Sequence, residues 1–542
     1  MKKTIIPLLM LASQIAMAQQ TADYNVIPLP KSIEMLNDAA FVLNNQTSSC
    51  YTEQVGKRNA EFLAEYVLET TGLQLSVSNS KPNGKAISLR IDPAIHNPEG
   101  YQIKISAKGF EVAGGSEAGV FYGIQTLRKS LPVMEKQSTI TSVNMPATII
   151  KDDPRFGYRG MMLDCARHFF SLDFVKEYID LLALHNMNIF HWHLTDDQGW
   201  RIEIKKYPRL TGFGSIRTGT VIGNNSDVDD RVPYGGYYTQ DEAREIVAYA
   251  AERHITVIPE VDMPGHMMAA LACYPELGCT GGPYEVGHKW GIYYDVLCVG
   301  NPKVYDFVKD VLDEIIQIFP SEVIHIGGDE TPTVRWDNCP KCQALELNGQ
   351  TKQGYFTKVV IDYLASKGRR IIGWDELSEN GVSQSATIMG WRGQIPGWPG
   401  EKAAEAGYDV IMTPVTHCYF DYYQTEDNTY EPSITGLLPI SVEKVYSLNP
   451  VPDSLSVSAK QHIIGVQANL WTEYIAYPQA AEYMVLPRMA ALSEVAWTDE
   501  SRKDFERFKA RLNRLVLYYE FKEWTYAKHV WPEKMGKERW KI

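Results

Sequence analysis

Two adjacent acids, Asp329 and Glu330, are the most informative residues of this 542-residue chain. They follow Gly327 and Gly328 after a short apolar segment, so we predict that they stand at the end of an extended strand, where neighbouring side chains project differently. Two close carboxylates push their pKa values apart, so one can stay protonated while the other is an anion. The glycines would let the backbone approach a ligand closely. The pair therefore predicts acid–base chemistry, and a solvated acidic pair at a loop start is the alternative.

Other polar and aromatic residues stand at the ends of further apolar segments. They are Asp164 and Arg167; His191, His193, Asp196 and Asp197; Glu260, Asp262 and His266; Trp374, Asp375 and Glu376; Trp391; Tyr419 and Asp421; and Trp471 and Glu473. Aromatic faces stack on the C–H faces of sugar rings, and carboxylates, Arg and His bind ring hydroxyls. This mixture predicts a carbohydrate site.

Two other interpretations fit some of these residues. In the first, the tryptophans belong to the core and the acids are solvated, which three tryptophans at separate segment ends argue against. In the second, His191 and His193 form the His-x-His pair of a metal-dependent hydrolase. Such a site needs ligands at later segment ends, where the only histidine is His417. We therefore expect no metal and no cofactor.

The elements that would position these residues are eight short apolar segments separated by helical stretches. They are 160–164, 188–192, 255–259, 323–327, 370–374, 387–391, 409–413 and 463–467. Such alternation predicts βα units and a parallel sheet, and eight is the strand number of the TIM barrel. Active sites of these barrels lie at the carboxyl ends of the strands, where the polar and aromatic residues occur.

The predicted fold class is α/β, with a (β/α)8 TIM barrel catalytic domain over 155–500 preceded by a small α+β domain over 22–150. A C-terminal helical segment over 501–542 would pack on the barrel. The long polar connections 214–238 and 271–301 are expected to be binding loops over the barrel mouth.

Within the first domain, periodicity predicts helices over 53–71 and 117–131 and half-buried strands over 87–91 and 101–105. This domain has no convergent set of titratable residues, so its expected role is structural support.

The first residues have the pattern of a signal peptide over 1–18. Lys2 and Lys3 precede an apolar run over 5–12, and a small-x-small cleavage site follows at 16–18. The run is too short to span a bilayer, so we expect no membrane span. The chain is expected to be exported to the periplasm or the extracellular space.

Net charge is −13 and no block of Lys and Arg occurs, so nucleic acid is not expected as a partner. Neutral sugars remain compatible with this charge. The oligomeric state is not indicated by the sequence.

The chain has eight cysteines, and in an exported protein some of them could form disulfides. Cys339 and Cys342 form a CxxC, which can be half of a zinc site or a local bridge. No second CxxC or CxxH follows at zinc-site spacing, so we favour a local disulfide or free thiols. Cys279 and Cys298 flank a Gly-rich loop and are a candidate second bridge.

The segment HIGGDE at 325–330 resembles the catalytic motif of the β-N-acetylhexosaminidases, glycoside hydrolase family 20. Further segments are similar in the same order: YRGMMLDCARHFF (158–170), NIFHWHLTDDQGWR (188–201), VIPEVDMPGH (257–266), GWDE (373–376), YFD (419–421) and NLWTE (469–473). The opening YNVIPLPKSIE at 24–34 resembles the non-catalytic N-terminal domain of that family.

The resemblance implies retaining, substrate-assisted catalysis, an exception to the usual two-carboxylate scheme. It implies that Glu330 protonates the leaving oxygen and then activates water. Asp329 would hold the N–H of the 2-acetamido group and stabilise an oxazolinium-like intermediate, and Tyr419 would donate to the acetamido oxygen. His266 and Asp196 would tune Glu330.

The resemblance also implies an exo-acting sugar pocket. Its aromatic enclosure would be made by Trp374, Trp391 and Trp471. Arg167 and Glu473 would bind the hydroxyls at positions 3, 4 and 6, and Asp421 would contact the sugar rim. The expected partner is a glycan that ends in β-linked N-acetylglucosamine or N-acetylgalactosamine. A relative that releases a disaccharide or modified sugar, and a catalytically silent glycan-binding protein, are the rival interpretations.

Overall fold

A computed structural model describes residues 20–80, 85–134, 140–393, 397–426 and 438–531. The predicted signal peptide over 1–18 lies outside these residues. The chain divides into two compact units, one up to Asp153 and one from Pro154, and Ile27–Leu29 also belong to the second.

The first unit is built on a mixed seven-stranded sheet. Its strands, in sheet order, are Ser32–Met35, Thr148–Asp152, Tyr101–Ser106, Gly109–Gly114, Ala86–Ile91, Ser48–Tyr51 and Ser76–Ser78. A second sheet contains Gln20–Thr21, Val143–Met145 and Phe41–Leu43. Helices Lys57–Thr71 and Glu117–Ser130 pack on the larger sheet and on each other. The predicted α+β architecture is therefore confirmed, and burial along Tyr101–Ser106 alternates as a half-buried strand requires.

The second unit is a closed barrel of eight parallel strands, as predicted. The strands are β1 (Tyr158–Asp164), β2 (Ile189–His193), β3 (Thr256–Glu260), β4 (Val323–His325), β5 (Arg370–Trp374), β6 (Thr387–Gly390), β7 (Val410–Met412) and β8 (Ile463–Leu470). Strand β8 pairs with β1 and so closes the barrel. Since both faces of each strand are covered, the strands are buried along nearly their whole length rather than on alternate residues.

Helices surround the barrel. The principal ones are Leu172–Leu184, Gln240–Ala251, Pro302–Ile318, Lys352–Ser366, Pro399–Glu405, Pro478–Val485 and Arg488–Trp497. Shorter ones are Arg209–Gly212, Met268–Cys273, Val334–Asp337, Pro340–Gln343, Glu376–Glu379, Val415–Cys418, Val442–Tyr446 and Val457–Gln461, with 3-10 turns at Pro275–Leu277 and Glu500–Arg502. The local sequence fixes where the helix Gln240–Ala251 begins, because Thr239 precedes it and forms a capping box with Glu242.

The predicted C-terminal helix is present at Phe505–Phe521. Tyr519 on this helix forms a hydrogen bond to His185 (2.6 Å), which follows the helix after β1. Among the described residues, every helix is too short or too polar to span a bilayer.

The barrel interior contains both an apolar cluster and buried polar side chains. An apolar cluster contains Tyr158, Ile258, Ile372, Trp374, Met389 and Ile411. Fully buried polar side chains, Glu260 and Gln467 among them, come from the same strands. The packed strands thus hold a polar layer rigidly, and the residues that follow them form the site.

Candidate active site

The acidic pair lies on a tightly turned segment after β4. The strand ends at His325, two residues earlier than predicted, and Gly327, Gly328 and Glu330 all have positive φ (66°, 91° and 43°). The prediction that Asp329 and Glu330 end an extended strand is therefore wrong. Glu330 has a left-handed backbone, which costs a glutamate energy and is held by the surrounding fold.

The two glycines make room for protein groups. A Cβ on Gly327 would lie 1.7 Å from Oδ1 of Asp262, and one on Gly328 would lie 2.6 Å from Leu377. The Gly328 amide donates to that same Asp262 oxygen at 3.1 Å. The close approach predicted for a ligand is thus made by Asp262 and Leu377, which fix the turn that carries the acids.

His266, which follows β3, lies beside both acids. Its Nε2 is 3.5 Å from Glu330 Oε2 and 3.8 Å from Asp329 Oδ2. Its Nδ1 is 2.9 Å from Asp197 Oδ2 and 3.3 Å from Asp196 Oδ1. The structure therefore joins His266, Asp196 and the acidic pair in one cluster, and it adds Asp197 as the nearer partner of the imidazole.

Burial and charge act in opposite directions on this cluster. Burial disfavours the imidazolium, but the carboxylates of Asp196 and Asp197 outweigh it and hold the pKa of His266 well above its ordinary value. Burial is also the main cause that raises the pKa of Asp329 to about 6, with a smaller contribution from the charge of Glu330. The Glu330 side chain is 35% exposed against 14% for Asp329, so Asp329 is the deeper acid.

Arg167, which follows β1, is surrounded by carboxylates. Its guanidinium lies 3.2 Å from Asp164, 3.0 Å from Asp196 and 3.7 Å from Glu473. It also stands 5.0 Å from the ring centre of Trp471. These contacts orient Arg167 and leave the second oxygen of Glu473, Oε2, buried and without a hydrogen bond among the described residues.

Aromatic rings from the ends of β5, β6, β7 and β8 form a continuous wall. Ring centres are separated by 6.0 Å for Trp391 and Tyr419, 6.3 Å for Tyr419 and Trp471, and 5.7 Å for Trp471 and Trp374. Tyr419 follows β7, and the adjacent Phe420 amide donates to the Asn469 carbonyl of β8 at 2.7 Å, which places the tyrosine beside Trp471. These rings are the apolar surface on which a sugar can stack.

Hydrogen bonds fix two of these indoles. Trp374 Nε1 donates to Glu260 at 3.0 Å, and Trp391 Nε1 donates to Glu376 at 3.0 Å. Burial, with the nearby charge of Asp329 next, raises the pKa of Glu376 to about 8. Trp374 is also part of the barrel core, so the core interpretation holds for this ring in addition to its place in the wall.

Tyr419 and Asp421 stand together at the end of β7. Burial raises the pKa of the Tyr419 hydroxyl well above its ordinary value, and the charges of Asp421 and Asp329 add to this. The hydroxyl therefore stays protonated and can donate a hydrogen bond. Asp421 itself is largely buried.

The site has two halves along the chain. Strands β1–β4 supply the charged cluster of Arg167, Asp196, His266, Asp329 and Glu330, whereas β5–β8 supply the aromatic wall. Trp374 is the last residue of β5, and all the other predicted site residues stand on the segments that follow the barrel strands.

The histidines of the rejected metal hypothesis surround one carboxylate. Glu260 lies 2.9 Å from His191 and 2.9 Å from His325, and it also contacts His193. Trp374 donates to it as well, so both oxygens of Glu260 are occupied. Other groups with the right atoms for a cation are Asp196, Asp197 and His266, and Asp262, His266 and Asp329. Both include the imidazolium, whose charge opposes cation binding.

All eight cysteines lie in the described residues, and each is a free thiol. Cys279, Cys298, Cys339 and Cys342 bring their sulfur atoms within 4.8 Å of one another. Of the two alternatives for the CxxC, a local disulfide or free thiols, the structure has free thiols, and the candidate bridge between Cys279 and Cys298 is not formed. The sequence did not predict that the loop after β3 folds its cysteines against the CxxC after β4.

The resemblance gave His266 and Asp196 as the residues that would tune Glu330, and Asp197 and Glu376 were given no role in the site. Both were visible as acids beside selected residues, but adjacency alone does not say which of two neighbouring acids reaches a given histidine.

Comparisons with known proteins agree with this geometry. The model of "Glycosyl hydrolase family 20, catalytic domain" matches residues 156–500, and that of "Glycosyl hydrolase family 20, domain 2" matches residues 23–153. A beta-hexosaminidase of Porphyromonas gingivalis is 42% identical over 94% of this chain, and the match spans 65% of that protein. A beta-N-acetylhexosaminidase of Cellulomonas fimi is 31% identical over 92% of this chain and 95% of its own length.

Solved structures are similar over nearly the whole chain. The family 20 beta-N-acetylhexosaminidase of Streptomyces coelicolor has a TM-score of 0.82 at 32% identity, covering 93% of this chain and 97% of its own. An exo beta-N-acetylglucosaminidase of Vibrio harveyi, solved with N-acetylglucosamine, has a TM-score of 0.82 at 33% identity, covering 95% of this chain and 80% of its own. The resemblance in the sequence motifs is confirmed, and this chain belongs to glycosyl hydrolase family 20.

Proposed function

We propose that this chain is an exo-acting β-N-acetylhexosaminidase that hydrolyses terminal, non-reducing β-linked N-acetylglucosamine or N-acetylgalactosamine from glycans. The reaction would retain configuration through substrate-assisted catalysis and an oxazolinium intermediate. The names of the relatives support the activity, and a Streptomyces plicatus beta-hexosaminidase was solved with N-acetylglucosamine as product.

The observation that carries this proposal is the position of Asp329. Its carboxylate is largely buried beside Tyr419 and the aromatic wall, and its Oδ1 has no hydrogen-bond partner among the described residues. A buried, unpaired carboxylate oxygen is costly, so a ligand donor is expected to satisfy it. The N–H of a 2-acetamido group is such a donor, and its methyl group suits neighbouring indole rings.

In the proposed reaction, Asp329 accepts from the acetamido N–H and Tyr419 donates to the acetamido carbonyl oxygen. This oxygen then attacks the anomeric carbon while the glycosidic bond breaks. The positive charge that develops on the acetamido group lies beside the Asp329 anion, where low exposure strengthens the attraction. Because the nucleophile belongs to the substrate, its effective concentration is high.

Glu330 would donate its proton to the leaving oxygen and then remove a proton from water that attacks the intermediate. Its greater exposure suits a group that faces the leaving aglycone and water. His266, 3.5 Å from its carboxylate, would orient it. The rest of the substrate would be held by Arg167 and Glu473 at ring hydroxyls, by Asp421 at the rim, and by stacking on Trp374, Trp391 and Trp471.

The first experiment is a product profile on defined glycans, paired with two aryl glycosides that differ only at carbon 2. The aryl N-acetyl-β-glucosaminide should be hydrolysed with release of a monosaccharide, and the aryl β-glucoside should be almost inert because it lacks the acyl nucleophile. Equal rates on both would refute substrate assistance. Release of a disaccharide would refute the removal of a single terminal sugar and favour the disaccharide-releasing rival, and the absence of any turnover would favour a silent glycan-binding protein.

The second experiment tests Glu330 through the Glu330→Gln variant. Activity on glycosides with poor leaving groups should fall by roughly 100-fold or more, whereas activated aryl glycosides should lose less, because a good leaving group needs little proton transfer. Glu346→Gln, an exposed glutamate of the same connection, is the matched control and should behave as the wild type. Equal loss on both substrate types would contradict the acid role.

We also propose that the chain is exported, from the basic and apolar pattern over 1–18. Fractionation of cells that express the full chain should place the protein outside the cytoplasm, and the mature N-terminus should begin after residue 18. An uncleaved protein in the cytoplasm would refute this part.

A further inference from the structure

Four cysteines from two separate connections meet beside the active-site loops. Cys279 and Cys298 belong to the long connection after β3, and Cys339 and Cys342 belong to the connection after β4 that also carries Glu330. The Sγ–Sγ distances are 3.8 Å for Cys279 and Cys342, 3.7 Å for Cys298 and Cys339, and 3.5 Å for Cys298 and Cys342. All four sulfur atoms lie within 4.8 Å of one another.

These distances match a tetrahedron around a metal ion. A zinc–sulfur bond is about 2.3 Å, so the edges of a ZnS4 tetrahedron are about 3.8 Å. A disulfide needs about 2.05 Å between the two sulfurs, and here each sulfur has neighbours in more than one direction. Two disulfide bridges would need only two close pairs of sulfurs. Here all four sulfurs are close to one another, as the four ligands of a single metal ion are.

The four sulfurs differ in burial. Cys298, Cys339 and Cys342 are buried and Cys279 is half-buried, so the cluster is closed on one side and reachable on the other. A closed set of four cysteines is typical of structural zinc sites.

We propose that Cys279, Cys298, Cys339 and Cys342 bind one structural zinc ion. Binding would release the remaining thiol protons, and four thiolates would surround the ion. The site is separate from the sugar chemistry and goes beyond the proposed function.

The ion would join two connections that already contact each other. Trp336 Nε1 donates to the Leu297 carbonyl at 2.8 Å, and Arg335 pairs with Asp295 at 2.8 Å. Both contacts link the segment after Glu330 to the loop after β3. Zinc would add a strong crosslink at the same place and so hold the loop that carries the general acid.

The direct experiment measures metal in the full chain, purified without chelator from the compartment into which it is delivered. Elemental analysis should find about one zinc per chain, and a mercurial that reacts with thiols should release that zinc. These readouts need no substrate, so their failure is distinguishable from failure of the hexosaminidase proposal.

The variant for this test is Cys279→Ser, because the half-buried cysteine is the one whose change disturbs packing least. Its zinc content should fall at least about tenfold, and its melting temperature should drop below that of the wild type. Cys50→Ser, a buried cysteine of the first unit, is the matched control and should keep full zinc.

Three outcomes would overturn the proposal. An intact mass lower by two hydrogens for each bridge, with no zinc, would show disulfides instead. Iron in place of zinc, or zinc retained equally by Cys279→Ser and wild type, would refute the assignment as well. If Cys279→Ser fails to fold, the metal content and mercurial release of the wild-type protein still decide the question.

Discussion

Replacing Asp329 by asparagine should stabilise the folded protein while it removes activity. Burial raises the pKa of Asp329 from 3.8 to about 6, so the fold disfavours its charged form. Below the unfolded value the group is protonated in both states and costs nothing. As the pH rises through 3.8 to about 6, the unfolded chain loses the proton first and the stability of the wild type falls.

The size of the effect follows from the same two values. The difference between 3.8 and about 6 corresponds to roughly 3 kcal/mol at pH 8, because each pKa unit is worth about 1.36 kcal/mol. At pH 5 only about half of this cost is present, since the folded group is still mostly protonated. Asparagine never ionises, so the variant should gain stability over the wild type by these amounts.

The assay is urea denaturation of wild type and Asp329→Asn at pH 5 and pH 8, with hydrolysis of an aryl N-acetylglucosaminide measured in parallel. Asp227→Asn is the control, because Asp227 is exposed and a hydrogen bond from Lys289 lowers its pKa, so its variant should gain nothing at pH 8. A variant that is less stable than wild type at pH 8, or whose gain is the same at both pH values, would refute the reasoning.

Two further predictions concern the groups that hold the acids. Gly327→Ala should destabilise the protein by roughly 2–5 kcal/mol, because its φ is +66° and the new Cβ would meet Asp262 at 1.7 Å. Thermal denaturation of both variants is the test. Gly212→Ala, where the added Cβ meets open space and φ is not positive, should be close to neutral, and an equal loss of stability in both variants would contradict this explanation. Asp197→Asn should move the alkaline limb of the pH–kcat profile to lower pH, because the pKa of His266 falls when a carboxylate 2.9 Å away is removed. An unchanged profile with reduced kcat would show that Asp197 does not act through His266.

The sequence was sufficient for the barrel and for most of the site. All eight strands coincide with the short apolar segments, because buried parallel strands have a continuous apolar pattern that helices and loops lack. The selected residues also stand after these strands, since the barrel brings every carboxyl end to one face.

What the sequence could not predict depends on contacts between distant segments. The left-handed backbone at Glu330 is held by the approach of Asp262 to Gly327, and no local pattern encodes that contact. The meeting of Cys279 and Cys298 with the CxxC likewise requires the path of a long loop. That His266 contacts Asp197 as well as Asp196 depends on side-chain rotamers, which the sequence of two neighbouring aspartates does not reveal.

The order of the strands separates the charged cluster around His266 from the wall of aromatic rings. Arg167 to Glu330 come from the first four βα units, and Trp374 to Trp471 come from the last four. Under the proposed function, bulkier N-acyl sugars could therefore be sought by changing Trp391 and Trp471 in the second half of the barrel while Tyr419 is kept, because the proposed reaction uses its hydroxyl. The charged cluster around His266 would stay unchanged, so a variant with altered sugar specificity could keep the proposed reaction chemistry.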